Sequence, residues 1–400
     1  MHVHKLTAYV VRLPLRRSFG HAGHVRQHSD NLLVRCELRG RTRRPVVGWG
    51  EGVPRDDAMG ETPESALAQL ERTPCAEQLA AGATTWNDVI ALVDRFQPAL
   101  TEGDERGYSG NALRCAVELS LLDAYGKLFG EPVSRAIHHL PDAAPLLGPR
   151  RWVQYSTIID ATRHQRLRAV AVKMRAYGFR HCKIKVGLDR NADPERLAAI
   201  RTWIGSAIDL RLDANGAWRA EEFLERLAAL EPYDISCIEQ PLPHEDLEAL
   251  RELRRQTKTP IMLDESLTSL EDAERAIRLE ACDLFNIRLS KCGGLLSSVR
   301  LAILAHRHGL GYQIGCHPGE SGILSAAGRQ LATTLGGWWY LEGSYDRHLL
   351  RLRNPITRHD MTFRYGGWAR RINCPGLGTA VVPRRIRRRT RGVQEVLVAN

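Results

Sequence analysis

Apolar and polar positions change rhythm twice along the chain. Up to about residue 50, short β-prone runs (Tyr9-Val10-Val11, Leu32-Leu33-Val34, Val46-Val47) stand between polar or Gly/Pro turns, the signature of strands. From about 63 to 138 apolar residues recur at intervals of three and four. Leu113, Val117, Leu121 and Tyr125 fall on one helical face, and Gly130 and Pro132 end that helix. Strands followed by helices predict an α+β unit. From about 151 the rhythm becomes strand and helix in alternation. Strands are expected at 153–158, 181–186, 209–213, 235–239, 261–264, 284–289, 311–315 and 338–341, with helix-length segments such as 221–230 and 295–306 between them. Alternation repeated this often predicts a parallel sheet, and its length suits a closed β/α barrel better than an open sheet. No G-x-G-x-x-G follows the first of these strands, which weighs against dinucleotide binding. The expected division is 1–140, 141–350 and a closing segment, 351–400, that packs back on the first unit.

Composition changes this picture little. With 43% hydrophobic and 26% charged residues the chain is globular, and no apolar run reaches the length of a membrane-spanning helix. The first residues lack the apolar core and cleavage site of a signal peptide, so a cytoplasmic protein is expected. Nine cysteines, an odd number without a C-x-x-C pair, read as buried thiols rather than disulfides or a zinc site. The net charge of +11 is uneven, because six arginines lie between 384 and 391. That tail is expected to be a loose, solvated end. A scaffold binding nucleic acid or an acidic partner through it is the competing reading, with little aromatic interleaving in its favour.

The chemistry sits where a β/α barrel carries it, at the C-terminal ends of the strands. Lys183 and Lys185 share one face of the second strand, and the next four strands end in or near Asp213, Glu239, Asp264 and Lys291. Successive steps from Lys185 are 28, 26, 25 and 27 residues, each about one β/α unit. Three carboxylates brought together repel one another and call for a cation. An all-oxygen set without His or Cys suits magnesium, or manganese. Lysines on the flanking strands would approach from opposite sides, and a neighbouring cation lowers an amine's pKa towards that of a base. The set points to removal of a proton next to a carboxylate. A scaffold has no need of it.

These residues resemble the enolase superfamily, specifically its muconate-lactonizing branch, over nearly the whole chain. The resemblance implies an α/β fold, a modified (β/α)7β TIM-like barrel with an N-terminal α+β capping domain, one Mg²⁺, and a small carboxylate substrate. It implies Asp213, Glu239 and Asp264 as metal ligands, Lys185 and Lys291 as acid/base pair, and Lys183 as the group that polarises the substrate carboxylate. A lysine base beside Mg²⁺ is a general property of that superfamily. Residues 15–24, with Phe19 and the glycines Gly20 and Gly23, resemble the family's mobile loop over the substrate. Residues 48–55 resemble its second specificity loop, and 112–133 the helix before the barrel. Relatives commonly assemble, so a homo-oligomer is expected.

Specificity is less legible. Asn215 and Glu265 adjoin ligands and are expected to orient metal or lysine. Strand seven ends in GCHPGES, where Glu320 occupies the family's acidic position and His317 is less expected. The mandelate-racemase branch uses a His there with a strand-six Asp, but strand six carries Lys291. Strand eight lacks the Asp-x-Asp with which dipeptide epimerases hold an amino group, and Glu342 supplies one carboxylate at most. Tyr312, Trp338 and Trp339 read as core. The expected function is a muconate cycloisomerase-like isomerase. Alternatives are a racemase or epimerase of dipeptides or N-acylamino acids, and a dehydratase such as o-succinylbenzoate synthase.

Overall fold

The computed structural model describes residues 1–21, 24–40, 44–99, 110–160, 164–187, 192–351 and 355–399. Three antiparallel strands open the chain: β1 (His2–His21), β2 (His24–Arg39) and β3 (Val46–Gly52). The short apolar runs are only their centres. The ladder between β1 and β2 runs from His2/Arg39 to His21/His24, since backbone pairing continues beyond the buried residues.

The helix Asn111–Phe129 lies across this sheet. Gly48, Gly50 and Gly52 share one face of β3, and a Cβ built on them would fall 2.0, 1.9 and 2.0 Å from the carbonyl oxygens of Ser120, Ala116 and Ala112. The match is geometric: two strand residues advance about 6.6 Å and four helix residues about 6 Å. The stretch 48–55, expected as a loop, is therefore strand as far as Gly52. Only glycine lets the two backbones meet there.

The first barrel segment also departs from expectation. Residues 153–158 divide into β4 (Trp152–Gln154) and β5 (Thr157–Ile159). The chain changes partner between them: Tyr155 N–H donates to Gly367 O at 2.8 Å and Ser156 N–H to Leu341 O at 2.7 Å. The remaining barrel strands are β6 (His181–Lys185), β7 (Asp209–Asp213), β8 (Ile235–Glu239), β9 (Ile261–Leu263), β10 (Leu284–Arg288), β11 (Gly311–Gly315) and β12 (Trp338–Leu341). From β5 to β12 they form one parallel sheet in chain order, with a helix on each connection. The Ser156–Leu341 bond joins its two edges, which makes the expected (β/α)7β barrel. Cys237, Met262, Leu284 and Tyr340 form an apolar plug inside it.

The chain ends in β13 (Trp368–Arg370), which pairs with β4, and β14 (Thr390–Leu397), which pairs with β1. The arginine-rich segment is thus ordered, contrary to expectation. It spans the short helix Pro383–Arg387 and the start of β14. Ile386 is buried, and Arg385 Nη1 donates to Pro355 O at 2.6 Å. Trp339, expected in the core, is exposed. All nine cysteines are free, eight of them buried and Cys374 exposed. Among the described residues no helix is long and apolar enough to cross a membrane.

Candidate active site

A cavity of about 440 Å³ opens between the β1–β2 hairpin and the C-terminal ends of the barrel strands. Strand alternation decides what reaches it. Lys183 and Lys185 project inward from β6, and Arg211 and Asp213 from β7, with the apolar residues between them turned outward. Lys183, Lys185, Asn215, Glu265, His317 and Glu342 line the cavity. Asp213, Glu239 and Asp264 lie just beneath, each 0% exposed. They end or follow β7, β8 and β9, three neighbours in the sheet.

Protein cations tie the three carboxylates together. Lys183 Nζ stands 3.2 Å from Asp213 Oδ2, 3.2 Å from Glu239 Oε1 and 2.9 Å from Glu342 Oε1. Lys185 Nζ is 3.0 Å from Asp213 Oδ2 and hydrogen-bonds Asn215 Oδ1. Arg288 pairs with Asp264 and stands 3.6 Å from Glu239 Oε1. Burial disfavours the ammonium of Lys183, but the carboxylates of Glu239, Glu342 and Asp213 outweigh it and hold the amine protonated. Burial likewise opposes the charge on Asp213, yet Lys185 and Lys183 keep its carboxyl well below the usual range.

Lys291 differs from expectation. It is fully buried and is not among the residues lining the cavity. Its ammonium donates to the carbonyls of Asp264 (2.5 Å), Leu267 (2.5 Å) and Asn286 (3.0 Å) and stands 3.1 Å from Asp264 Oδ1. Burial pulls its pKa down to about 8. Asn111, at the start of the cap helix, donates to Lys291 O at 2.8 Å and Thr268 O at 3.0 Å, so the cap fixes this loop.

Of the remaining expected residues, Asn215 donates to Glu265 Oε1 at 3.1 Å and so bridges the loops after β7 and β9. Glu320 accepts from His317 N–H at 2.7 Å, and burial raises its carboxyl to about 8. His317 is buried at the end of β11. Glu342 is not available to a substrate ammonium. It lies between Lys183 and Arg211, whose Nη2 is 2.5 Å from its Oε1. Phe19 pairs with Arg26 in the hairpin. Its side chain, with that of Gly20's neighbour His21, falls outside what the structure describes, as does Gly23 altogether.

Sequence reasoning passed over Arg211, Asn286, Arg288 and Gln313. Asn286 Nδ2 donates to Glu239 Oε1 at 2.8 Å and Gln313 Nε2 to Oε2 at 3.5 Å. The signal was available: each stands in a barrel strand, and Arg211 is two positions before Asp213, on the same face.

A divalent cation can be tested against these residues. The donors are all oxygen, and both Asp264 carboxylate oxygens are buried without a well-directed hydrogen bond among the described residues. Such under-satisfied hard donors fit Mg²⁺. Among the described residues no three acidic, His or Cys groups already stand in position to hold a metal together, because lysine and arginine share their oxygens.

The family model described as "Enolase C-terminal domain-like" matches residues 166–385. The chain belongs to the enolase superfamily. Superfamily relatives include the N-succinyl-L-Arg/Lys racemase of Bacillus cereus, 29% identical over 82% of this chain and 84% of its own. The hydrophobic dipeptide epimerase of Roseobacter litoralis is 32% identical over 80% and 83%. The solved Bacillus cereus racemase superposes with a TM-score of 0.83 at 26% identity, covering 99% of this chain and all of its own. The muconate lactonizing enzyme of Pseudomonas fluorescens, solved with muconolactone, gives 0.83 and 26% over 98% and 99%. The dipeptide epimerase of Cytophaga hutchinsonii, solved with Mg and D-Ala-L-Val, gives 0.81 at 24% over the full length of both chains. The chain is an enzyme of the isomerase class in this superfamily.

Proposed function

We propose that this enzyme is a racemase or epimerase that removes and returns the proton next to the carboxylate of an N-acylated amino acid or dipeptide. The observation that supports it best is the order of charges across the sheet. Lys185 contacts Asp213 at one end of the carboxylate row and Lys291 contacts Asp264 at the other. Named relatives favour this reading over cycloisomerisation, because racemases and epimerases stand among the similar sequences, whereas the muconate enzyme is a likeness of fold.

Asp213, Glu239 and Asp264 would hold Mg²⁺, which when bound supplies positive charge beside the substrate carboxylate as the proton leaves. Lys183, kept protonated by its carboxylate neighbours, adds a fixed positive charge at the cavity floor. Lys185 takes the α-proton from one face. Lys291 delivers a proton to the other, and the roles exchange for the opposite enantiomer. For this Lys291 must leave at least one of its backbone carbonyls. The cap excludes water from the site meanwhile.

The test is α-proton exchange in deuterated water with Mg²⁺, using N-acylamino acids and dipeptides of both configurations. Lys185→Ala and Lys291→Ala should each stop racemisation, or exchange from one enantiomer, while Mg²⁺ still binds by calorimetry. Asp213→Asn and Glu239→Gln should weaken Mg²⁺ binding and stop exchange altogether. Normal turnover by these variants would place the chemistry elsewhere.

A further inference from the structure

The cap helix Asn111–Phe129 is buried over most of its length, yet one of its faces is polar. Asn111, Arg114 and Glu118 stand three and four residues apart, one above another on the helix. They meet the turn after β10, residues 289–294, which carries Lys291. Glu118 accepts from Leu296 N–H just beyond that turn, and a Cβ built on Gly293 would fall 3.0 Å from Asn111 Oδ1. The chain after β3 adds a second hold from the cap: Val53 N–H donates to Ser290 Oγ at 2.7 Å.

Asn111 binds the lysine's own peptide. Its amide donates to Lys291 O at 2.8 Å and to Thr268 O at 3.0 Å. Both partners are carbonyls, so only the NH₂ group can face them, which fixes the orientation of the amide. Thr268 directly follows Leu267, whose carbonyl accepts from Lys291 Nζ at 2.5 Å. One cap side chain therefore ties the backbone that carries the amine to the loop whose carbonyls hold it. With the backbone held, the side chain is the part left to move. The ammonium can leave its carbonyls by turning about side-chain bonds while its Cα stays in place.

Lys185 is supported differently. Its amine meets Asp213 and Asn215, and Arg196 Nη2 donates to its carbonyl at 3.1 Å, all of them barrel groups. The two amines thus lean on the cap unequally.

We propose that Asn111 is a positioning residue for Lys291, through which the cap governs proton transfer on one face of the substrate and not on the other. This rests on the two-lysine reading above and deepens it. A reacting group misplaced by about 1 Å can cost about a hundredfold in rate. Ser290 still holds the turn when Asn111 is lost, so a drop of about tenfold is expected.

Retention and inversion separate the two amines. In deuterated water with Mg²⁺, an enantiomer that gives its α-proton to Lys185 takes deuterium back from Lys185 with retention, or from Lys291 with inversion. Asn111→Leu removes both donors at similar volume. It is assayed with both enantiomers of whichever N-acylamino acid or dipeptide exchanges fastest in the assay above. One enantiomer should still exchange with retention, within about twofold of wild type, while exchange of the other and interconversion of the two fall by about tenfold. The spared enantiomer should be the one that Lys291→Ala also spares. Asn111→Asp turns an acceptor towards two carbonyls and should lower the same two rates further. Ser290→Ala removes the acceptor of Val53 N–H and should lower them less; it reads the same contact from the barrel side if the Asn111 variants do not fold. Equal loss for both enantiomers, or loss for neither, overturns the positioning role and leaves the two-lysine reading standing. A wild-type enzyme that exchanges neither enantiomer of any of these substrates overturns that reading instead.

Discussion

In the cap, Gly48, Gly50 and Gly52 bring a strand against a helix through backbone and apolar contact. In the barrel, Lys183, Arg211, Asp213, Glu239 and Glu342 fill the interior with charge. The interior of a β/α barrel is ordinarily packed with branched apolar side chains. Here Cys237, Met262, Leu284 and Tyr340 make an apolar plug below the site. Buried ion pairs add little stability against well-packed apolar residues of the same volume. The barrel thus gathers its buried charges in one place, whereas the buried carboxylates of the cap are held apart, Asp123 by Lys127 and Trp49 N–H, and Glu51 by Ser321 N–H.

The difference makes unequal predictions, and the largest concerns Glu342. Its carboxylate faces Lys183 and Arg211 at once. Glu342→Gln keeps the volume and removes the charge, which leaves two buried cations short of compensation. Breaking a buried pair in this way costs about 3–5 kcal/mol. Urea unfolding should show that loss in the midpoint with an unchanged slope. A cost below about 1 kcal/mol, the range of exposed pairs, would remove the contrast between the two interiors.

The same contrast explains what could be read in advance. The carboxylates and lysines at the strand ends were legible because they recur about once per β/α unit. Seven of the eight barrel strands were legible in place because each is a short apolar run of its own. The cap gave less. The glycines of β3 look like a loop by composition, and their role appears only when Ala112, Ala116 and Ser120 are seen across from them. The division at Tyr155-Ser156 and the ordering of the arginine-rich end both depend on partners more than 180 residues away in sequence, Leu341 in one case and β1 in the other. Local pattern cannot carry that information. Lys291 lies in the turn after β10 rather than on the strand, and local pattern did not show the carbonyls that hold its amine.

A smaller effect lies at the seam between the two regions. Glu118, on the cap helix, accepts a hydrogen bond from Leu296 N–H at 2.9 Å, at the start of a barrel helix. Burial raises its carboxyl to about 7 from an ordinary 4.5. The folded chain therefore keeps this proton up to about pH 7, whereas the unfolded chain releases it near 4.5. The contribution is fully present below 4.5 and is lost as pH rises towards 7, by about 3 kcal/mol at most. Glu118→Gln should flatten the fall in unfolding free energy over that window, measured by urea titration at several pH values. A slope equal to the wild type's would show that the seam holds no buried acid of this kind.

Two glycines sharpen the comparison further. The cap packs backbone on backbone, so Gly50→Ala drives a methyl into Ala116 O at 1.9 Å and should cost about 2–3 kcal/mol, the range of core overpacking. Gly328, inside the barrel helix Gly322–Thr334, has no atom within 4 Å of a built Cβ and no unusual backbone angle. There alanine should stabilise by about 0.5–1 kcal/mol, since it relieves the entropy a mid-helix glycine loses on folding. Opposite signs in one set of denaturation curves are the expected result. If both variants moved the midpoint the same way, the close approach of β3 to the helix would not be what holds the cap together.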